Sequence, residues 1–349
     1  MVHYITRYYV SGHTADGYVN FLSTNLIGIN RIIVLQHPSS RVKAKIIEKL
    51  TAPFEEKEQI EIIESTRSGE YIEGIIMRES SVAVLAEQVV QEKIADGEYI
   101  NLEDYLPSKI DKKVIEKKDH KIKDLCQVAY SHFKKGLSIH DDLEKIYIDE
   151  MDFSKADHVA EEFISSLFKD IEKKEKLPVI YERLFGTNTA DGVVNVVEHL
   201  IEPIQNRIFI KGRAGTGKSV FMRKVLDACK EHGLEVELYR CSFDPNSIDM
   251  LIIRDLDYCL FDSTDPHEFF PSRKEDKIID LYEEAVTPGT DEKYASEIKR
   301  LTNLYKKEMQ SGVKKLKEIK PIDLERESYF EIPKYEELEN VLQKITIYQ

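Results

Sequence analysis

Hydrophobic and polar positions divide the chain into two halves with the same order of elements. Each half has a short apolar run, an amphipathic stretch of helical period, a second apolar run and then two closely spaced apolar runs. Short apolar runs are typical of buried strands, so the pattern predicts an α/β fold with mostly parallel sheets flanked by helices. The apolar runs are 31–35, 60–65, 72–78 and 82–86 in the first half, and 207–211, 235–241, 248–254 and 257–262 in the second.

A long, highly charged helical region follows the strands of each half. Apolar residues recur there every three or four positions, which predicts one buried stripe on each helix. We expect each helix to pack on its own domain, and an arm that binds a protein partner is the alternative. The stripe residues are Ile115, Ile122, Leu125, Phe133 and Leu137 in the first half, and Tyr294, Ile298, Leu301, Tyr305, Met309, Val313, Leu316 and Ile319 in the second.

A repeated segment indicates an internal duplication. TADGYVN (14–20) and TADGVVN (189–195) differ at one position and lie 175 residues apart. With one residue inserted directly after this segment, an offset of 176 aligns RIIV (31–34) with RIFI (207–210) and continues without a gap. A self-similarity of this kind predicts tandem copies of one structural unit.

The length of the chain agrees with two domains. At 349 residues, the chain exceeds what one hydrophobic core usually serves. The charged segment KDIEKKEKLP (169–178), which ends in proline, has the composition of a connector. We therefore predict a first domain at 1–170 and a second domain at 171–349.

Composition argues against several classes of protein. The net charge of −14 argues against nonspecific binding to nucleic acid or to anionic membranes as the main function. No apolar run is long enough for a membrane span, and the first residues lack the pattern of a signal peptide. The four cysteines form no C-x-x-C pair, so reduced thiols are expected. We expect a cytoplasmic protein with no membrane partner.

The second half carries a phosphate-binding motif. Residues 212–219 read GRAGTGKS, which matches G-x-x-x-x-G-K-[ST], with a strand-like run before it and a helical stretch after it. Glycines let the backbone approach phosphate oxygens, the helix N-terminus attracts anions, and the lysine adds positive charge. The residues predicted to bind the nucleotide are Gly212, Arg213, Ala214, Gly215, Thr216, Gly217, Lys218, Ser219 and Val220.

Two residues are predicted to hold Mg²⁺. Ser219 follows the motif lysine, where the hydroxyl ligates the metal in loops of this kind. Asp262 ends the apolar run YCLFD (258–262), and a carboxylate at the end of a neighbouring strand completes such a site. Mg²⁺ keeps several waters, so two protein ligands suffice. Lys218 and Asp262 are the predicted catalytic residues.

These motifs resemble those of P-loop NTPases. The duplicated TADG-strand-loop plan, with SFDPNSID (242–249) and FDSTDPHEF (261–269), is similar to a narrower bacterial group of tandem P-loop ATP-binding proteins, described as ATPases or nucleotide kinases. The resemblance covers most of the chain, and its specific part is residues 186–275. It implies two tandem P-loop NTPase-like domains. No signature of a guanine reader is present, so ATP with Mg²⁺ is the expected cofactor.

The first half departs from the motif. At an offset of 176, QHPSSRVK (36–43) lies opposite GRAGTGKS, so every glycine is replaced and Val42 stands opposite the motif lysine. Ala86 stands opposite Asp262, although Glu87 is adjacent if the alignment slips by one residue. We predict a pseudo-domain that binds no nucleotide and serves as a scaffold. The alternative is regulation, or donation to the live site of a basic residue from Arg41, Lys43 or Lys45.

The TADG segment is predicted to be structural, because it also occurs in the half that lacks the phosphate motif. Thr14 and Thr189 are expected to cap helix starts, with Gly17 and Gly192 forming turns. An edge that binds the nucleobase is the alternative.

Three functions remain open. The first is Mg-dependent ATP binding with slow hydrolysis, which would act as a switch or a regulatory ATPase. The second is a kinase acting on a small molecule or a nucleotide, and the third is a non-catalytic nucleotide sensor. Hydrolysis requires a group that orients the attacking water and a positive charge that stabilises the transition state. The candidates are Asp265, His267 and Glu268 for the water, and Arg273 and Lys274 for the charge.

Overall fold

The computed structural model has two halves built from the same succession of strands and helices, and it describes residues 5–52, 54, 57–106, 110–264 and 269–345. The first half contains β1 (Ile5–Tyr8), β2 (Ser11–Thr14), β3 (Gly17–Asn20), α1 (Leu22–Asn25), β4 (Arg31–Gln36), α2 (Ser40–Thr51), β5 (Ile60–Glu64), β6 (Ile72–Met77), β7 (Val82–Ala86), β8 (Glu98–Asn101), α3 (Lys112–Ile148) and α4 (Phe153–Leu167). The second half contains β9 (Val179–Arg183), β10 (Gly186–Thr189), β11 (Gly192–Asn195), α5 (Val197–Ile201), β12 (Asn206–Lys211), α6 (Lys218–Glu231), β13 (Glu235–Arg240), β14 (Ile248–Ile253), β15 (Tyr258–Asp262), β16 (Lys277–Asp280), α7 (Leu281–Ala285), α8 (Thr290–Lys293), α9 (Ala295–Lys317), α10 (Ile319–Ser328) and α11 (Tyr335–Ile345).

Each half forms one six-stranded sheet with the same strand order. The first sheet runs β1-β5-β6-β7-β4-β8 and the second runs β9-β13-β14-β15-β12-β16. In both sheets the third strand in this order, β6 or β14, lies antiparallel to its two neighbours, and the other described pairings are parallel. The predicted α/β fold, with mostly parallel sheets flanked by helices, is confirmed.

The two sheets share an apolar core. That core contains Ile63 and Ile76 from the first sheet together with Phe209, Met250 and Phe261 from the second. Each sheet also has an outer core, which α2 and α11 cover at the first sheet and α4 and α6 cover at the second. Separation of the halves would expose the shared core to water, so the two sheets are expected to unfold together.

Strand pairing corrects the alignment of the two halves. Ile33 of β4 pairs with Val84 of β7, and Ile208 of β12 pairs with Leu260 of β15. Ile33 and Ile208 therefore correspond at an offset of 175, and both face an outer core. The alignment at 176 instead matched Ile33 with Phe209, which faces the shared core. A shift of one residue exchanges the two faces of a strand, so the two alignments cannot both be correct.

The offset of 175 continues through the following helix. Three buried residues of α2, Ile46, Ile47 and Leu50, then correspond to Phe221, Met222 and Val225 of α6, which are also buried. The additional residue of the second half lies after this helix, and not before β4 and β12 as the sequence alignment assumed. The match of Val42 with Lys218 was therefore wrong, and Lys43 occupies the position of Lys218.

One buried arginine joins the two sheets. Arg183, at the end of β9, lies 2.9 Å from Glu61 Oε2 and 3.1 Å from Glu237 Oε2, and its side chain is 1% exposed. Glu61 and Glu237 are also paired within their own halves, to Arg78 and to Arg254. Five charged side chains thus form one network across the boundary between the sheets.

The long helices cross between the halves. α3 and α9 pack against each other in an antiparallel pair, with Phe133 beside Gly312 and Met309 beside Gly136. Their apolar stripes therefore cover one another, whereas we expected each helix to pack on its own domain. The predicted boundary between residues 170 and 171 lies between the two sheets, and the helices cross it. Across the described ranges, no helix combines the length and apolar character needed to span a bilayer.

Each TADG segment forms the turn of a β-hairpin. The Thr14 hydroxyl donates to the Gly17 carbonyl, and Thr189 does the same with Gly192. Gly17 and Gly192 have φ angles of +97° and +117°, which favour glycine. The predicted turn role of the glycines is correct, but the threonines do not cap helices. The last residue of the repeat lies one position before each helix N-cap, and the Asn20 and Asn195 side chains accept hydrogen bonds from the first amides of α1 and α5.

The two glycines at the α3–α9 crossing are expected to differ in how well they tolerate replacement by alanine. A Cβ on Gly312 would lie 2.3 Å from the Phe133 ring, whereas a Cβ on Gly136 would lie 3.4 Å from the Met309 sulfur. Gly312→Ala should lower the free energy of unfolding by about 1–3 kcal/mol through overpacking. Gly136→Ala should be neutral or should stabilise by up to about 1 kcal/mol, because alanine favours helix. Urea denaturation of both variants tests this, and equal effects would contradict the crossing geometry.

Candidate functional site

The predicted phosphate-binding motif, residues 212–219, forms the loop between β12 and α6. Gly215 and Gly217 have φ angles of +76° and +80°, so glycine is favoured at both positions. The Thr216 hydroxyl donates to the Arg213 carbonyl and accepts from the Arg213 amide. Lys218 is the first residue of α6, and its Nζ donates to the Arg213 carbonyl at 2.7 Å. The loop therefore surrounds its own lysine, at the positively polarised end of a helix.

The two predicted metal ligands lie beside this lysine. β15 is the direct parallel neighbour of β12, and this places Asp262 Oδ2 3.8 Å from Lys218 Nζ. The Ser219 hydroxyl accepts from the Ile248 amide at 3.1 Å, and the Thr264 hydroxyl donates to the Asp262 carboxylate. Lys218, Ser219 and Asp262, which lie far apart in sequence, thus face the same cavity of about 1040 Å³.

Sequence reasoning missed Asp249. This residue is 5% exposed and lies at a β-bulge of β14, where the pairing with β13 shifts register. Burial, and then the charge of Asp262, raises the pKa of Asp249 well above its usual range. The available signal was an acid inside the apolar run IDMLII (248–253), matched by Glu73 in IEGIIM (72–77). A cation bound beside Asp262 would also stabilise the charged form of Asp249.

The first half forms the opposite wall of the cavity. The last turns of α3 bring His140, Asp141, Glu144 and Tyr147 to the loop. The contact is close, because a Cβ on Gly215 would lie 2.5 Å from the Glu144 carbonyl oxygen. Glycine at position 215 is therefore required by the neighbouring helix as well as by the φ angle of the loop.

This wall adds acidic groups and one neutral imidazole. Burial, and then Asp141, raises the pKa of Glu144, while the Gly215 amide acts in the opposite direction as a hydrogen-bond donor. Burial, and then the charge of Lys218, lowers the pKa of His140 to about 4. His140, Asp141 and Glu144 each offer a ligand atom, and these atoms lie within 4.8 Å of one another. The cavity thus has the oxygen and nitrogen donors that divalent cations prefer.

The remaining candidates from the sequence do not reach the loop in the described part of the chain. The Arg213 side chain turns to Asp291 and lies over the Tyr282 ring. Arg273 donates to the Ile204 carbonyl, which lies just before β12 and so at the far end of that strand from the loop. Lys274 is exposed and has no described role at the loop. The three residues proposed to orient water, Asp265, His267 and Glu268, lie outside the described residues.

In the first half, a carboxylate of the chain itself occupies the corresponding loop. Glu327 of α10 is 2% exposed and accepts hydrogen bonds from the Ser40 and Arg41 amides and from the Ser39 hydroxyl. At an offset of 175, the two amides correspond to those of Gly215 and Thr216. Lys43 lies nearby, with its Nζ bonded to the His37 carbonyl. Glu327 therefore occupies the position where a phosphate would bind to an open loop.

The basic residues of the first half are used locally. Lys43 pairs with Glu87 at 3.0 Å, which parallels the pair formed by Lys218 and Asp262. The strand alignment places Ala86 opposite Asp262. The carboxylate that corresponds to that of Asp262 thus belongs to the next residue, Glu87. Arg41 donates to the Glu327 and Phe330 carbonyls, and Lys45 pairs with Glu48. None of these three described side chains reaches the second-half loop, which argues against the alternative that the first half donates a basic residue to that loop.

Replacement of Glu327 should open an anion site. Glu327→Ala leaves two amides and a hydroxyl without their acceptor, and the free energy of unfolding should fall by about 3 kcal/mol. Sulfate should then restore part of the loss, because it can bind the same amides and binds only the folded form. Melting temperatures are compared with those of Glu325→Ala, whose side chain is 58% exposed on the same helix. An equal response to sulfate in both variants would contradict this role of Glu327.

Asp249 should make stability depend on pH. Because its pKa is raised, the Asp249 carboxyl keeps its proton in the folded protein. In the unfolded chain the same carboxyl loses its proton above about pH 4. The residue therefore costs stability increasingly as the pH rises toward and above neutrality. Asp249→Asn removes this cost, so the free energy of unfolding of the variant should exceed that of the wild type by more at about pH 8 than at about pH 5.

The control for this comparison is Asp227→Asn, because the Asp227 side chain is 59% exposed. Its denaturation curves should follow the wild-type pH dependence. Mg²⁺ should reduce the advantage of Asp249→Asn, because a bound cation favours the carboxylate. Identical pH slopes for all three proteins would show that Asp249 is not held protonated.

Comparison with known proteins adds no family. No protein-family model, no curated protein and no solved structure matches this chain.

Proposed function

We propose that the second half binds a nucleoside triphosphate with Mg²⁺, with ATP as the expected nucleotide, and hydrolyses it slowly as a switch. The single observation that carries this proposal is the loop with Lys218 at its centre and Asp262 beside it, open to a cavity of about 1040 Å³. A loop of amides at a helix N-terminus favours phosphate, and the lysine adds a full charge. Ser219 and Asp262 would hold the metal.

The surrounding acids favour a metal-bound form of the nucleotide. Asp262, Asp141 and Glu144 line the cavity, so a bare triphosphate would meet several like charges. Mg²⁺ offsets this repulsion by bridging phosphate oxygens and carboxylates. Binding should therefore require the metal.

The proposed switch follows because residues of both halves line the cavity. α3 belongs to the first half, and its Glu144 is in contact with Gly215 of the loop. A phosphate that binds the same amide competes with the Glu144 carboxylate, so occupancy would change the contact between α3 and the loop. Because α3 packs along α9, a shift there would be transmitted to both halves.

Lys218→Ala tests the proposal. Equilibrium binding of ATP and release of phosphate are measured with and without Mg²⁺. Loss of the lysine should weaken binding by about a hundredfold, as expected for loss of charge-assisted hydrogen bonds. The matched control is Lys224→Ala on the outer face of α6, where the side chain pairs with Asp157. This control should bind ATP as the wild type does.

The products of the reaction separate the alternatives. Release of phosphate without an acceptor supports the switch ATPase, and transfer of label to an added acceptor indicates a kinase. Binding without turnover indicates a sensor. Absence of Mg-dependent ATP binding, or equal binding by the wild type and Lys218→Ala, would refute the proposal.

A further inference from the structure

Exposed apolar side chains surround part of the nucleotide cavity. Ile148, Phe153, Val220 and Phe270 line this cavity, and each is at least 39% exposed. Ligand sites are mostly apolar, with a few polar groups that orient the ligand. Phosphates and their metal are polar, so an apolar part of the ligand is needed to cover these side chains.

Phe153 is held close to the phosphate loop by the residues that precede it. Met151 lies beside the loop, because a Cβ on Gly217 would be 3.6 Å from the Met151 Cε. The Asp152 amide donates to the Ala285 carbonyl at 2.7 Å, and the Asp152 side chain caps α4. Phe153 is the first residue of α4, so its backbone is held in place although its side chain is 58% exposed.

The predicted metal ligand gives the triphosphate a direction. β12 lies between β15 and β16 in the sheet, and Asp262 is the last residue of β15. Mg²⁺ bridges the two terminal phosphates, so a metal held by Asp262 places the terminal phosphate on the side of β15. The nucleoside end of the ligand then extends to the other side of the loop, toward β16 and α7.

Phe153 and two further apolar residues lie on that nucleoside side. α7 follows β16 directly and is joined to the start of α4 by the hydrogen bond between Ala285 and Asp152. Ile148 is next to this junction, because its carbonyl accepts from the Met151 amide.

Val220 belongs to the same apolar surface. It lies one turn before Lys224 on α6, and Lys224 pairs with Asp157 of α4 at 2.6 Å. Residues four apart lie on one face of a helix, so Val220 faces the start of α4.

Phe270 lies on the side of Asp262 instead. The ring of its neighbour Phe269 packs on the ring of Phe261, which directly precedes Asp262, with centroids 5.4 Å apart. The Phe270 ring itself lies 5.5 Å from the Lys211 Nζ. Phe270 is therefore an exposed aromatic residue of the same cavity at the end where the metal is expected.

We propose that the base of the bound nucleotide stacks on the Phe153 ring, with Ile148 and Val220 beside it. This inference rests on the proposed nucleotide site and adds the residues that hold the base. Stacking on an aromatic ring contributes to affinity without any hydrogen bond to the edge of the base.

Two ligands separate the contribution of the base from that of the phosphates. Binding of ATP and of inorganic tripolyphosphate, each with Mg²⁺, is measured by isothermal titration calorimetry on the full chain. Phe153→Ala should weaken ATP binding about tenfold, as expected for loss of one stacking contact, and should leave tripolyphosphate binding unchanged. Phe153→Tyr keeps an aromatic ring and should bind ATP as the wild type does.

The matched control is Phe270→Ala, because the Phe270 side chain is 65% exposed in the same cavity. This variant loses a ring from the side of Asp262 and should bind both ligands as the wild type does. A loss of ATP binding in Phe270→Ala and not in Phe153→Ala would place the base at the wrong end of the cavity and overturn the proposal.

The response of Phe153→Ala to the two ligands gives the decision. Weaker binding of ATP alone supports the proposal, and unchanged binding of tripolyphosphate shows that the loop of the variant is intact. Unchanged binding of ATP, or an equal loss for both ligands, overturns the proposal while the nucleotide site stands. Failure of the wild type to bind either ligand refutes the nucleotide site itself, so the two failures are distinguishable.

Discussion

A buried cation between two buried carboxylates determines how the two halves meet. Arg183 reaches Glu61 in one sheet and Glu237 in the other. The residue that corresponds to Arg183 in the first half is Tyr8, and its ring centroid lies 3.8 Å from the Arg183 guanidinium. Two arginines at this point would repel in a medium of low dielectric constant, whereas an arginine over an aromatic ring is stabilised. A displaced sheet would leave buried charges without partners, which costs several kcal/mol (about 3–5).

With the sheets held in this way, one helix from each half reaches the loop of the other half. α10 follows α9 at one end of the antiparallel pair of α3 and α9. The last turns of α3 lie at the other end. α10 brings Glu327 to the first-half loop, and α3 brings Glu144 to the second-half loop. The two loops therefore differ in what covers them as well as in their own residues. In the first half the anion is supplied by the chain, and in the second half the cavity stays open to an external anion.

Both halves have a lysine at the position of the motif lysine, but the contacts of the two lysines differ. Lys43 is 3% exposed, with its Nζ held by Glu87 and the His37 carbonyl. Its neighbouring amides bind Glu327, so the charge of the loop is satisfied within the protein. Lys218 has a more distant carboxylate at 3.8 Å and a carbonyl of its own loop. In the proposed nucleotide complex, a triphosphate would replace one hydrogen bond and a carboxylate at 3.8 Å around Lys218, whereas in the first half it would have to displace both Glu327 and the pair of Lys43 with Glu87.

Local pattern was sufficient for four strands of each sheet, the duplication and the roles of Gly17 and Gly192 in turns, because these depend on residue type and short spacing. Local pattern failed to align the two halves correctly, because the sequence alone gives no contacts between strands. The match of Val42 with Lys218 is the clearest case. Only strand pairing and the faces of β4 and β12 show that Lys43 occupies that position. Glu144 and Glu327 could not be assigned from spacing, since α3 and α10 approach the loops only after the halves pack together. The charged residues that reach each loop come from distant segments, so no periodic pattern in the sequence marks them. For that reason the tertiary structure alone decides which loop is open.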